Sequence, residues 1–277
     1  MPATRCWPPF SGPVIEARYD GGNKKRIAPA RRPLSRPRPG LTASIVPQSD
    51  GWVERVDPAT LRALPRLLST DRFGTYLAAS NSDPARAVRL YSWNIEVSAA
   101  LWGPFHILEI TLRNALHNRL ADRTGLEDWW RSDRSPLRGD HPQRLREAMA
   151  AAGRHHGTGA TTGHVVAELS FGFWIGLLAN RYHQSLWVPT LRQAFPRFDG
   201  RRTQLHADLE RLRKLRNRTA HHEPIFARNL TTDHELVLDI TGYIEPQART
   251  WTTTHSRVPS VIAARNRTLD GLRPTAF

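Results

Sequence analysis

Apolar residues recur every three or four positions through most of the chain after residue 50, which is the spacing of one face of an α-helix. The clearest example is the segment 205–226, in which Leu205, Leu209 and Leu212 share a face. No run of alternating apolar and polar residues is long enough to predict a β-sheet. The pattern therefore predicts an all-α fold, a bundle of packed helices.

Two Asp-Pro pairs predict helix starts, because aspartate caps the first turn and proline fits the first helical position. Asp57-Pro58 opens a short helix, and Asp83-Pro84 opens a longer one with apolar residues at helical spacing through Leu101. Gly103-Pro104 then predicts a break or a bend in the chain. A further helix is expected after it, with an apolar side that runs from Phe105 to Leu116.

Three later segments give local predictions. FGFWIGLL at 171–178 is apolar all round, so its helix should be central. Asp140-His141-Pro142 predicts a helix that continues through Ala151, followed by a glycine-rich loop that contains His155 and His156. Thr232-Asp233-His234-Glu235 has the sequence of a capping box and predicts another helix start.

Arg216 interrupts the leucine face of the 205–226 segment, because it stands where a fourth leucine is expected. A guanidinium stays charged in proteins, so an apolar setting requires an anionic partner, a hydrogen-bond network or a cleft. His221 and His222 follow five residues later, and Pro224 predicts that the helix ends near them. One segment thus presents a half-buried cation and two imidazoles at a helix end.

Two interpretations of this segment remain open from its spacing alone. A cation beside imidazoles suits an enzyme that binds a phosphate and moves protons near neutral pH. Alternatively, Arg216 pairs with a carboxylate of the core, and the histidines only cap the last carbonyls of the helix. The spacing of Arg216, His221 and His222 is equally compatible with both.

The run RNRTAH at 216–221 is similar to the R-N-x-x-x-H signature of HEPN-domain ribonucleases. The wider RNRTAHHEPI resembles the Abi-like (abortive infection) branch of that superfamily. Three other segments resemble that branch in the same order: LYSWNIEVSAAL at 90–101, HILEITLRNALHNRL at 106–120, and FGFWIGLL followed by LW and AFP. The resemblance covers about residues 50–245.

The resemblance implies a HEPN-like helical bundle that acts as a metal-independent RNA endonuclease, in phage defence or as the toxin of a toxin–antitoxin pair. Such enzymes use the 2′-hydroxyl of the RNA as nucleophile and leave a cyclic phosphate. The resemblance assigns acid–base chemistry to His221, the phosphate clamp to Arg216, a positioning role to Asn217 and a helper role to His222. It also implies a homodimer that brings two signatures together, an antitoxin as a candidate partner, and no cofactor.

Glu109 and Arg113 are the second pair of interest, because the E-x-x-x-R-N run also recurs in the Abi-like pattern. Their spacing favours an ion pair within one helix. Glu109 projects between the leucines of its helix, so we expect it to face the helix of Arg216. Arg113-Asn114 with His117 forms a shorter echo of the signature, which we interpret as structural.

Charge and composition favour a polyanionic partner such as RNA. The formal net charge is +15 at pH 7, of which residues 1–45 supply +7 and the remainder +8. An arginine-rich, lysine-poor composition would raise the isoelectric point without any function, so the charge alone is weak evidence.

Residues 1–49, with nine of the 21 prolines, are predicted to form a disordered basic tail. Residues 246–277 are predicted to form a basic extension with a helix near Pro259–Arg267.

Several other classes of site are disfavoured. Cys6 is the only cysteine, so we expect no disulfide framework and no cysteine-based zinc site. The scarcity of cysteine also favours a cytoplasmic protein. No apolar run is long enough to cross a bilayer, so no membrane association is expected. The histidines His155, His156 and His164 lack carboxylates at ligand spacing, and GTGATTG lacks the ending of a phosphate-binding P-loop.

The competing function is a non-catalytic helical module that binds structured RNA or a partner protein. A catalytic site should place Arg216 and His221 together in an open, positively charged cleft, whereas a module that only binds can bury either residue.

Overall fold

The protein is described here by a computed structural model that covers residues 55–132 and 135–277. These residues form helices and turns and contain no strand, which confirms the all-α prediction. The predicted tail over residues 1–49 lies outside the described residues. None of the described helices is both long and apolar enough to span a membrane.

The helices follow one another in this order: α1 (Pro58–Leu67), α2 (Thr70–Ala78), α3 (Pro84–Thr124), α4 (His141–His156), α5 (Thr162–Glu168), α6 (Phe171–Gly176), α7 (Arg202–Ala220), α8 (Leu230–Ile244), α9 (Pro246–His255), α10 (Val258–Ala263) and α11 (Arg265–Leu269). Short 3₁₀ turns lie at Trp129–Arg131, Gly157–Gly159, Asn180–Tyr182 and Leu191–Ala194, and a π-helical turn at His183–Trp187.

Helix α3 is the element around which the others pack. It has 41 residues, so it is about 60 Å long. The Asp83 side chain caps its start by accepting hydrogen bonds from the backbone N–H groups of Ala85 and Arg86. Gly125 ends it in the left-handed conformation at φ 72°, which costs glycine little. Helices α2, α6, α8, α9, α10 and α11 all contact α3.

Of the two alternatives predicted at Gly103-Pro104, a break or a bend, the break is wrong, because α3 continues through both residues. Proline removes one backbone donor and disfavours the helical conformation of the residue before it, mainly through that residue's Cβ. Gly103 has no Cβ, so this clash is reduced. Pro104 is buried together with Leu101 and Phe105, and this burial supports the helix across the missing hydrogen bond.

The predicted central position of FGFWIGLL is confirmed. Only Phe171–Gly176 is helical, and Leu177 and Leu178 continue into a turn. Phe173, Trp174 and Ile175 are buried, and α6 packs against both α3 and α7. This short segment therefore holds the helix of Arg216 against the helix of Glu109.

The C-terminal residues 246–277 pack on α3 and α8 and contribute Val258 and Val261 to the same core. The indole Nε1 of Trp93 donates to the carbonyl oxygen of Val261 at 2.9 Å. Arg273 donates to both carboxylate oxygens of the buried Glu96, at 2.6 and 2.8 Å. That hydrogen-bonded pairing raises the pKa of Arg273. The single predicted helix near Pro259–Arg267 is replaced by two short ones, α10 and α11, and α9 precedes them.

Two other local predictions are corrected. Helix α8 begins at Leu230, not at the expected capping box, because Asn229 accepts the N–H of Thr232. Asp233 is fully buried between the guanidinium groups of Arg211 and Arg228, so its carboxylate neutralises arginines inside the fold.

The glycine-rich loop also begins later than predicted. Helix α4 opens at His141 as expected, but it continues through His155 and His156 before Gly157 ends it.

Candidate functional site

Arg216 lies at the edge of the leucine face of α7 and reaches across to α3. Leu205, Leu209 and Leu212 are buried on that face. The Nε of Arg216 donates to Oε1 of Glu109 at 2.8 Å, and the two side chains remain 32% and 23% exposed. Glu109 therefore faces the Arg216 helix, as its helical phase predicts.

The same guanidinium also contacts Trp102. The Cζ atom of Arg216 lies 5.5 Å from the centre of the Trp102 ring, within the range of a cation–π interaction. Trp102 and Glu109 are seven residues apart on α3, which is close to two full turns, so both point to the same side of the helix. Arg216 is thus held by a carboxylate and an indole from one face of α3.

A cleft of about 410 Å³ opens beside this contact. Glu109 and Arg113 line it on α3, and Arg213, Arg216 and Asn217 line it on α7. Four of these five residues were singled out from the sequence, and only Arg213 was not. The structure thus brings together the two predicted clusters, which are separated by about 100 residues of chain.

The other walls come from α4 and from the α5–α6 segment. Arg144 of α4, Glu168 of α5 and Trp174 of α6 also line the cleft. Gly172 lies next to Arg213, where a Cβ would stand 3.3 Å from the arginine Cδ, so a larger residue would crowd that side chain. Four arginines and two glutamates therefore converge on one opening, and its charge is net positive.

These arginines differ in how they are paired. Arg213 donates to Glu210 at 2.7 and 3.0 Å, and Arg144 contacts Asp140 at 2.8 Å. The Nε of Arg113 is buried and has no hydrogen-bond partner among the described residues. The predicted Glu109–Arg113 pair does not form, because Glu109 bonds to Arg216 instead.

His221 and His222 form the C-terminal cap of α7 and do not line the cleft. The backbone N–H of His222 donates to the carbonyl oxygen of Thr219 at 3.2 Å, and that of Glu223 to Arg218 at 2.8 Å. This pair of bonds is a Schellman motif, with His222 at the position that glycine usually occupies. His222 accordingly has a φ of 58°, a conformation that few non-glycine residues adopt.

The turn after α7 is fixed from both sides. Arg218 donates to the carbonyl oxygen of Pro224 at 2.7 Å and contacts Glu223 at 3.2 Å. The buried N–H of Ile225 donates to Oδ1 of the buried Asn94 on α3, at 2.8 Å. The exposed imidazoles of the cap therefore stand on a backbone of defined shape.

The residues of the shorter echo divide, because Arg113 lines the cleft whereas Asn114 and His117 do not. His117 is half-buried and accepts a hydrogen bond from the indole of Trp129 at 3.2 Å. Burial lowers the pKa of His117. Asn114 is exposed.

The histidines at 155, 156 and 164 do not converge on a common point. The rings of His156 and His164 stack at 3.6 Å, whereas His155 contacts Glu168 at 2.9 Å. Within residues 55–132 and 135–277, no group of three or more His, Cys, Asp or Glu side chains is arranged to hold a metal ion.

Both features of the structural interpretation are present, since Arg216 has a carboxylate partner and the histidines cap α7. The cleft adds features that this interpretation does not require. Arg216 and Glu109 remain partly exposed, further arginines point to the same opening, and a buried Arg113 donor is left without a protein partner.

Sequence reasoning missed Trp102, Arg144 and Arg213. Trp102 carried no clear signal, because the interruption predicted at Gly103-Pro104 separated it from the helix of Glu109. Arg213 carried a signal, because it is one turn before Arg216. Arg144 lies on α4 and had none, since its approach depends on how α4 packs beside the α5–α6 segment.

Comparison of the chain with protein-family models, with curated proteins and with solved structures finds no match.

Proposed function

We propose that this protein is a metal-independent RNA endonuclease of the HEPN type, active as a homodimer in the cytoplasm. Its role would be phage defence by abortive infection, or growth arrest as a toxin restrained by an antitoxin. The observation that carries the proposal is the arginine-lined cleft in which Arg216 and Asn217 of the signature meet Glu109 and Arg113.

The way Arg216 is held favours phosphate binding. Glu109 engages only the Nε of Arg216, so within the described residues no hydrogen bond occupies the two terminal nitrogens. A guanidinium that presents two parallel N–H groups suits bidentate binding to a phosphate. Glu109 and Trp102 thus fix the orientation of the arginine and leave its binding end available.

The chemistry requires three functions around one phosphodiester. A base removes the proton of the 2′-hydroxyl, whose oxygen attacks the adjacent phosphorus and forms the cyclic phosphate. An acid protonates the 5′-oxygen as the P–O bond to it breaks. A cation stabilises the charge that develops on the phosphorane, which we assign to Arg216, with Asn217 positioning the same phosphate.

The position of His221 supports a site made by two chains. His221 is exposed at the end of α7, outside the cleft that Arg216 and Asn217 line. A two-fold arrangement of the α7 ends would bring His221 of the partner subunit towards the cleft of the first chain. Such a dimer places His221 of the partner subunit on the side of the phosphate opposite Arg216 and Asn217, so each site combines groups from both chains.

The test is incubation of the full chain with total RNA in EDTA, followed by analysis of the product ends. We expect cleavage with cyclic phosphate ends and its loss in His221→Ala. His255→Ala is the matched control, because His255 is also an exposed histidine in the last turn of a helix. Strict dependence on a divalent ion, or full activity of His221→Ala, would overturn the proposed mechanism.

A non-catalytic RNA-binding module is the second candidate, favoured by the pairing of Arg216 with Glu109 and by the distance of His221 from the lining. It predicts RNA binding that depends on Arg216 and not on His221, with no cleavage. The same assay, combined with a binding measurement on Arg216→Ala, distinguishes the two functions.

A further inference from the structure

Trp102 is an exposed tryptophan beside the proposed phosphate clamp. It is 40% exposed, although nearly all of the surface of Trp93 and Trp174 is buried. Its ring contacts the guanidinium of Arg216, and it shares a face of α3 with Glu109 and Arg113. Its surface is therefore available at the edge of a positively charged cleft.

An exposed indole in this position suits stacking against an unpaired nucleobase. Aromatic side chains next to cationic grooves bind single strands in this way, because every base has a π-face. Base-paired bases inside a duplex are already stacked and do not present that face. The rise of α3 separates Trp102 from Glu109 by about 10 Å, so a base and a phosphate of the same strand can occupy both places.

Two residues of the cleft lining have a buried side-chain donor without a partner in the described part of the chain. The Nε of Arg113 and the Nε1 of Trp174 belong to lining residues, and neither has a hydrogen-bond partner among the described residues. A buried donor without a partner is destabilising. Both donors are inaccessible in this structure, so a ligand group reaches them only if the surrounding side chains move.

We infer that Trp102 stacks on an unpaired base of the RNA while Arg216 and the cleft bind its phosphates. This inference rests on the proposed function, since it uses the same clamp. It makes Trp102 a positioning residue that selects single-stranded over double-stranded RNA at the point of binding.

The test measures binding by fluorescence anisotropy of the full chain with three labelled oligonucleotides of equal length. One is a 2′-O-methyl single strand, whose blocked 2′-oxygen prevents cleavage; the second is its duplex, and the third carries abasic residues throughout. Trp102→Ala should weaken binding of the base-bearing single strand about tenfold. Trp102→Ala should change the affinity for the abasic strand by no more than about twofold. Trp102→Phe should retain most of the wild-type affinity for the base-bearing single strand.

Trp251→Ala is the matched control, because Trp251 is 53% exposed on α9 and belongs to no part of the cleft. Equal affinity of Trp102→Ala and wild type for the base-bearing strand overturns the inference. So does an equal loss for the abasic strand, which would mean that Trp102 acts only by holding Arg216. A changed oligomeric state of Trp102→Ala in light scattering would assign the residue to a contact between chains.

The outcomes for the proposed function are separate. If wild-type protein binds none of the three oligonucleotides, both the proposed function and this inference fail. If Arg216→Ala weakens binding while Trp102→Ala does not, the inference alone fails.

Discussion

At the scale of single residues, one part of the Arg216 guanidinium contacts the protein, and the two terminal nitrogens have no hydrogen bond among the described residues. The Nε bonds to Glu109 and the Cζ lies 5.5 Å from the centre of the Trp102 ring, so the terminal nitrogens keep their orientation. Lysine has no Nε and no planar group, although it keeps the charge. A lysine at this position could neither make the same bond nor present two parallel donors.

Arg216→Lys should therefore lower the rate of RNA cleavage about 10- to 100-fold, the effect of losing a charged bidentate contact. Arg267→Lys is the control, because Arg267 is exposed on α11, away from the cleft. Rates are compared under single-turnover conditions. Near-wild-type cleavage by Arg216→Lys would make Arg216 a structural residue.

His222 gives a second residue-scale prediction, since its left-handed backbone suits glycine. His222→Gly should raise the free energy of unfolding by about 0.5–1 kcal/mol, and His222→Ala should not, because alanine keeps the Cβ. Denaturant unfolding measures both. We also expect His222→Gly to cleave RNA normally. Loss of cleavage in the stabilised variant would instead identify His222 as a proton carrier.

The residue scale is where sequence reasoning was most informative. Helical phase placed Glu109 towards Arg216 and predicted that α7 ends at the histidines. It did not predict that Arg113 loses Glu109 as its partner, because that choice depends on the distance between α3 and α7. A carboxylate within reach of two arginines bonds to the one whose approach the packing allows.

At the scale of elements, α3 is tied to the turn after α7 by one buried hydrogen bond between Asn94 and Ile225. Asn94→Ala leaves the N–H of Ile225 without an acceptor in the core. We expect a loss of about 1–3 kcal/mol in the free energy of unfolding. Asn114→Ala, at an exposed position of the same helix, should change it by less than about 0.5 kcal/mol. A loss no larger than that of Asn114→Ala would contradict the role of this bond.

The elements themselves were predictable where local signals agree. Asp57 and Asp83 cap α1 and α3 as expected, and α7 ends at Ala220, beside the histidines where Pro224 predicts its end. The continuity of α3 was not predictable, since proline and glycine each predict an interruption when considered separately. Together in a buried stretch they are compatible, because the missing Cβ of Gly103 reduces the clash that proline causes.

At the scale of the whole molecule, buried histidines make stability depend on pH. His141 is buried, donates from Nε2 to the carbonyl oxygen of Phe173 at 3.2 Å, and has Nδ1 3.2 Å from Nη2 of Arg181. Burial lowers the pKa of His141, and the charge of Arg181 lowers it further. Asp140, whose Oδ1 lies 3.4 Å from the same Nδ1, and the hydrogen bond to Phe173 oppose this lowering but do not outweigh it. The same lowering by burial applies to the pKa of His117, His206 and His234.

Below about pH 6.5 the unfolded chain therefore binds more protons than the folded one. The free energy of unfolding consequently decreases as the pH is lowered. Each such histidine contributes at most about 1.4 kcal/mol per pH unit. Urea unfolding at pH 7.5 and 5.5 should show this loss, and His141→Gln should reduce it. His106→Gln, at an exposed position, should not. An unchanged pH dependence in His141→Gln would contradict the assignment.

The assembly of the cleft from several helices was the feature least predictable from the sequence. Its walls come from α3, α4, the α5–α6 segment and α7, which are distant in sequence. Periodicity identifies which face of each helix is buried but not which helices become neighbours. The contribution of Arg144 was therefore invisible in the sequence.

The central claim is that the phosphate clamp of one chain works with His221 of the partner subunit. Mixing Arg216→Ala and His221→Ala chains, after dissociation and reassociation, tests it most directly. In each mixed dimer, the intact Arg216 of the His221→Ala chain faces the intact His221 of the Arg216→Ala chain, which makes one complete site. The other site lacks both residues. Random pairing should thus restore about a quarter of wild-type RNA cleavage, although neither variant alone is active. A mixture as inactive as its components, or wild-type cleavage by a chain that light scattering shows to be monomeric, would contradict the account.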